Sequence, residues 1–155
     1  MEPIVIEFDV AAAPEHAYAT WTQRCGMWWP ATHSVGQADG FEVVFEPMVG
    51  GRIFEPTVEG IEHDWGTITR WEPPNLVSYR WHIFLPPDRA TEVSVTFTPT
   101  DAGTRVRVEN EGFEIFGDGA EERIVRVGGA WGSITDRYRL VVGVAPGELT
   151  QYSLS

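Results

Sequence analysis

The chain has 155 residues, enough for one domain (residues 1–155, core about 4–143) that buries roughly 70% of the surface exposed when unfolded. Its 43% hydrophobic and 22% charged residues exclude a disordered or fibrous protein, and no run approaches the roughly 20 apolar residues of a membrane span. A net charge of −12 argues against nucleic acid, which requires a positive field.

The N-terminus lacks a basic segment and opens directly on the alternating run IVIEFDV, so no signal peptide is expected. In that run Ile4, Ile6, Phe8 and Val10 share one strand face. APEHAYATW reads as a short helix with Pro14 in its first turn, and a second helical piece covers 24–29 and stops at Pro30. A loop follows over 32–40. Strand patterns then occupy 41–45, 52–54, 57–70, 76–85, 91–98 and 105–110. Gly50-Gly51, Pro73-Pro74-Asn75, Pro86-Pro87-Asp88 and Asp101-Ala102-Gly103 mark turns between them. Short turns between consecutive strands make an antiparallel meander.

The last element is different. Ile124, Val127, Trp131, Ile134, Tyr138 and Val141 step by three and four, which predicts one long amphipathic helix. Asp118 with Glu121 three residues on has the spacing of a capping box at its start. A single sheet of six to seven strands must curl, and its apolar face must be covered. This helix alone is long enough to do so. The expectation is therefore an α+β fold, a curved antiparallel sheet gripping a C-terminal helix. Mid-helix Gly128 and Gly129 admit two readings, close packing against a neighbour or room for a ligand.

Three stretches occur together and in order: FEPMVGGRIFE, GIEHDWGTITRWEPPNLVSYRW and ATEVSVTFTPTDAGTRVRVENEGFE, after an early MWWP and before a helix with Trp131. Over residues 4–143 the chain resembles the bacterial activator of heat-shock protein ATPase homologue-like family. That family lies in the SRPBCC group of START-like, birch-pollen-allergen-like helix-grip proteins. The resemblance implies a hydrophobic pocket between sheet and helix. Relatives bind lipids, polyketides or other small apolar molecules, and some catalyse cyclisation or dehydration. Two positions depart from the pattern. Met48 stands where relatives often have arginine, and Asn110 where they often have histidine. An amide does not titrate, so Asn110 weighs against acid–base catalysis there.

Strand parity selects the inward side chains. Val77, Tyr79, Trp81 and Ile83 share one face against Ser78, Arg80 and His82; Val93, Val95 and Phe97 oppose Glu92, Ser94 and Thr96. Val106, Val108 and Asn110 form the inward set of the last strand, with Asn110 its only polar member. Tyr79, Trp81, Phe97 and Trp131 are then either plain aromatic core or a pocket wall. Of Trp28 and Trp29, one belongs to core and the other to the entrance. The candidate ligand-binding set is Trp28, Trp29, Tyr79, Trp81, Phe97, Asn110 and Trp131.

Other chemistry is thinly marked. His33, His63 and His82 lack metal spacing, so no metal or cofactor is expected. His63 and Asp64 could orient one another. The single cysteine, Cys25, rules out an internal disulfide and suggests a reducing, cytoplasmic setting, and a buried inert thiol is its favoured reading over one activated by Arg24. All eleven basic residues are arginine, which excludes a Schiff-base lysine. Ser34 and Ser133 have no nucleophile-elbow context. The leading expectation is binding of a small hydrophobic or aromatic ligand. An enzyme of cyclase or dehydratase kind is the alternative; it needs a titratable pocket residue, for which Tyr79, Glu46, Glu55 and His63 are the candidates. A co-chaperone-like interaction module or a homodimer is the third.

Overall fold

The computed structural model describes residues 1–143, and its elements run in the predicted order. Strand β1 (Ile4–Val10) leads into helices α1 (Pro14–Gln23) and α2 (Cys25–Trp28). Strands β2 (Val44–Phe45), β3 (Arg52–Pro56), β4 (Glu62–Glu72), β5 (Leu76–Trp81), β6 (Thr91–Thr100) and β7 (Gly103–Glu111) follow, then the long helix α3 (Ala120–Val142). All seven strands lie in one antiparallel sheet of order β1-β7-β6-β5-β4-β3-β2. The first strand thus pairs with the last, Ile4 opposite Asn110 and Val10 opposite Thr104. With α3 laid on the apolar face of this curved sheet, the architecture is the helix-grip α+β fold.

Three elements differ from the sequence pattern. The run 57–70 is not one strand: Thr57 and Ile61 close a turn through Thr57 N–H to the Ile61 carbonyl at 2.9 Å, and β4 begins at Glu62. Register shifts at Ile53/Phe54 and Ile68/Arg70 then re-aim its side chains. Trp71 consequently lies beside Tyr18, ring centres 5.3 Å apart. Strand β2 is only two residues long, and β5 ends at Trp81 instead of continuing to Leu85.

At the start of α3 the capping box is absent. Asp118 lies inside a 3-10 stretch, Phe113–Gly119, and the N-cap is Gly119, without a side-chain cap. Gly117, at φ 60°, breaks this stretch with a non-helical conformation just before Asp118, so the helix starts later than the pattern suggests. A Cβ at Gly128 or Gly129 would meet nothing within 4 Å, so neither glycine serves close packing. Neither lines the cavity described below.

The core is aromatic and concentrated under one part of α3. Trp21 of α1 lies 5.0 Å from Tyr138 and 4.7 Å from Trp28, and stacks on Trp131 at 6.3 Å. The polar ends of these three rings have partners: Trp28 Nε1 donates to the Thr20 carbonyl, Trp21 Nε1 to the Tyr79 hydroxyl, and the Tyr138 hydroxyl to the Ala17 carbonyl. Burial drives the Tyr79 and Tyr138 hydroxyls and the Cys25 thiol to resist ionisation. Cys25 is a packed thiol, and the adjacent Arg24 does not offset its desolvation.

Candidate functional site: an apolar cavity under the start of the long helix

Where α3 leaves this core, a cavity of about 450 Å³ opens between the helix, the end of β5 and the segment after β7. Its helical wall is one stripe, Arg123, Arg126, Val127, Ala130, Trp131 and Ile134, at the three-and-four spacing of a single face. Opposite stand Trp81, Ile83 and Phe84 from the end of β5, and Phe113 and Phe116 from the 3-10 stretch. Gly112, at φ 97°, lets the chain leave β7 sharply enough to bring those two phenylalanines to the cavity.

The early end of β5 makes this wall. After Trp81 the alternation stops, and His82–Leu85 forms a turn closed by Leu85 N–H to the His82 carbonyl at 2.7 Å. The outward position expected for His82 is therefore wrong: it is 3% exposed and lines the cavity. Its Nδ1 faces the Leu85 carbonyl at 3.1 Å and its Nε2 the Asp64 carboxylate at 3.6 Å. Asp64 thus addresses His82, not His63. Phe84 sits at φ 67°, a conformation costly for a non-glycine residue, with 57% of its surface exposed beside the cavity.

Four of the seven candidate residues meet at the cavity: Trp29, Trp81, Asn110 and Trp131. Trp28, Tyr79 and Phe97 do not. They face inward, as parity requires, but at the end of the grip where α1 fills the space with Tyr18 and Trp21. Trp28 is thus core, and Trp29, whose Nε1 donates to the His33 carbonyl at 3.0 Å, lies on the cavity wall.

Asn110 is 1% exposed and its amide is engaged by the protein itself. Its Nδ2 donates to Thr91 Oγ1 at 2.8 Å and to the Glu92 carbonyl at 3.1 Å. Its Oδ1 accepts the Trp131 indole N–H at 3.1 Å, which also fixes which way the amide points. Asn110 therefore ties β7 and β6 to α3 across the cavity floor. The residues missed by sequence reasoning are Ile83, Phe84, Phe113, Phe116 and the two arginines. Most lie beyond strand ends, where parity no longer applies; the arginines were legible only as i and i+3 neighbours of the helical stripe.

The remaining titratable candidates lie elsewhere. Glu46 is held below its ordinary range by the Arg52 backbone N–H and guanidinium. Glu55 is fully buried and accepts the backbone N–H groups of Val35 and Gly36, pinning the loop before β2. Neither, nor His63, lines the cavity. Ser34 closes a turn through Gln37 N–H. Among the described residues no three His, Cys, Asp or Glu side chains come together as a metal site, and no helix is long and apolar enough to cross a membrane.

Comparison with known proteins agrees with the fold. Residues 11–139 match the model of the activator of Hsp90 ATPase homolog 1-like proteins. The chain belongs to that family. It sits within the SRPBCC/START-like superfamily. The anthrahydroquino-γ-pyrone synthase Txn09 is 33% identical, over 79% of this chain and 84% of that one, with a TM-score of 0.56. Protein MLL2253 from Mesorhizobium loti is 22% identical, over 89% and 94% of the two chains, at TM-score 0.66. An AHSA1-like protein from Aeromonas hydrophila is 23% identical, over 89% and 90%, at 0.59. A comparison with curated proteins finds no match.

Proposed function

We propose that this family member binds a small hydrophobic or aromatic molecule in the cavity beneath the start of α3. The observation that carries the reading is the contrast between a solid aromatic core under Tyr138 and a 450 Å³ aromatic-lined space under Val127, on one continuous helix. Burying apolar ligand surface there contributes roughly 25 cal/mol per Å² before the costs of association. Phe84, held at the rim in an unfavourable backbone conformation, gains a partner when a ligand enters. Trp81 and Trp131 form the flat walls, and Asn110 keeps Trp131 in place.

Catalysis is the second reading, and two observations favour it. His82, backed by Asp64, is a titratable group on the cavity wall, and the 33%-identical relative is named as a synthase. Such an activity would use the same cavity, so binding is the property to test first. Native mass spectrometry after gentle purification should show a retained small molecule, lost or reduced in Trp81→Ala while the protein stays folded. Retention equal to wild type in that variant would remove Trp81 from the site.

A further inference from the structure

The cavity is apolar in its walls but cationic at its rim. Four of the eleven arginines, Arg52, Arg70, Arg105 and Arg107, are in ion pairs with carboxylates. Arg123 and Arg126 line the cavity, and among the described residues neither has a carboxylate within ion-pair distance. Arg123 lies over the Phe116 ring, 4.2 Å from its centre, so its guanidinium is placed against the apolar wall. Arg89, whose guanidinium donates to the Ile115 carbonyl, adds a third charge nearby. Burial, then the charges of Arg126 and Arg89, make the Arg123 cation less favourable than usual, as expected where positive charge is left uncompensated.

In a protein of net charge −12, two arginines without a carboxylate partner at one apolar opening make that opening locally cationic. Most of the other polar groups of the lining are donors or already engaged, His33 having Thr32 Oγ1 on its Nδ1 alone. Asn110 is saturated as described, both nitrogens of His82 face acceptors, and the Trp81 indole N–H has no acceptor among the described residues. Guanidinium groups at the rim and a free indole N–H on the wall ask for a ligand with an anionic oxygen at one end of an apolar body. We infer that the ligand is an amphipathic anion, an aromatic or aliphatic carboxylate or a comparable oxyanion, whose charged end meets Arg123 and Arg126 while its apolar part fills the cavity. This rests on the binding function proposed above and names the class of ligand.

The test compares 2-naphthoate with 2-naphthalenemethanol, of nearly the same size and shape, by titration calorimetry on the full chain at low salt. Naphthoate should bind about tenfold or more tightly, the advantage of charge-assisted contacts in a partly desolvated site. In Arg123→Gln/Arg126→Gln the ratio of the two affinities should shrink to about twofold or less, whatever the change in the alcohol's own affinity; added salt should weaken naphthoate more than the alcohol. Because Arg126 is exposed, Arg126→Gln by itself provides a variant with no packing to lose, and should remove part of the preference. Equal binding of acid and alcohol, or a preference that survives the double substitution, overturns the inference and leaves the binding function standing. Failure of both compounds to bind removes the binding function, and this inference with it.

Discussion

The two halves of α3 behave as different structures on one helix. From Trp131 onward, Trp131, Ile134, Thr135, Tyr138, Val141 and Val142 are buried. That half is also tied by hydrogen bonds to its surroundings, Tyr138 to Ala17, Arg137 to the Trp28 carbonyl at 3.1 Å, and His16 to the Val142 carbonyl at 2.9 Å. From Ala120 to Ala130 only Ala120 is buried, and Val127 and Ala130 are merely half-covered. The apolar stripe continues through both halves, so the sequence pattern does not distinguish them. What differs is the partner. The C-terminal half rests on α1 and its Trp21, whereas among the described residues the N-terminal half has no second α-helix beneath it, and the cavity takes that place.

The contrast predicts that truncation at the packed half is far more costly than change at the open half. Tyr138→Ala removes a ring that touches Phe8, Trp21 and Trp28, and should lose about 3–5 kcal/mol in chemical denaturation. A loss under about 1 kcal/mol would show that this half is not the solid core described. Asn110→Ala, at the boundary, strands the Trp131 N–H and removes the donor to Thr91 Oγ1 and the Glu92 carbonyl, and should cost about 2–3 kcal/mol. In the open half Val127→Phe should change stability by less than about 1.5 kcal/mol, because the added ring enters empty space. It should nonetheless abolish binding of 2-naphthalenemethanol.

Alkaline titration sharpens the same contrast. Burial raises Cys25, Tyr79 and Tyr138 in the folded state, so they keep protons that the unfolded chain releases. Their stabilising effect is intact below about pH 9, where the unfolded thiol begins to ionise, and is lost as pH rises beyond it. The melting temperature should therefore fall from pH 9 to pH 11, less steeply in Cys25→Ala. The smallest effect belongs to the exposed side of the open half. Gly129→Ala meets no neighbour and should stabilise the protein by up to about 1 kcal/mol, with ligand binding unaltered.

The element order and the antiparallel pairing were legible because alternation and turn residues repeat so regularly between Phe41 and Asn110. Parity also found Trp81 and Asn110, since both lie within regular strand. It failed at His82, two residues before Phe84 takes a left-handed conformation, and it could not tell Tyr79 and Phe97 from Trp81. All three face inward. Which of them meets a helix and which meets a void depends on where α1 ends, a tertiary fact carried by no local pattern. The aromatic pair Phe113 and Phe116 was hidden for a related reason, as it belongs to an irregular segment after Gly112.

The central claim is that the start of α3 covers a ligand site and its end covers none. Mapping amide and indole NMR shifts on titration with 2-naphthalenemethanol tests it most directly. The changes should concentrate at Trp81, Phe84, Phe116, Val127 and Trp131, and leave Trp28, Tyr138 and Val142 still. Changes centred on Tyr138, or none at saturating ligand, would contradict it.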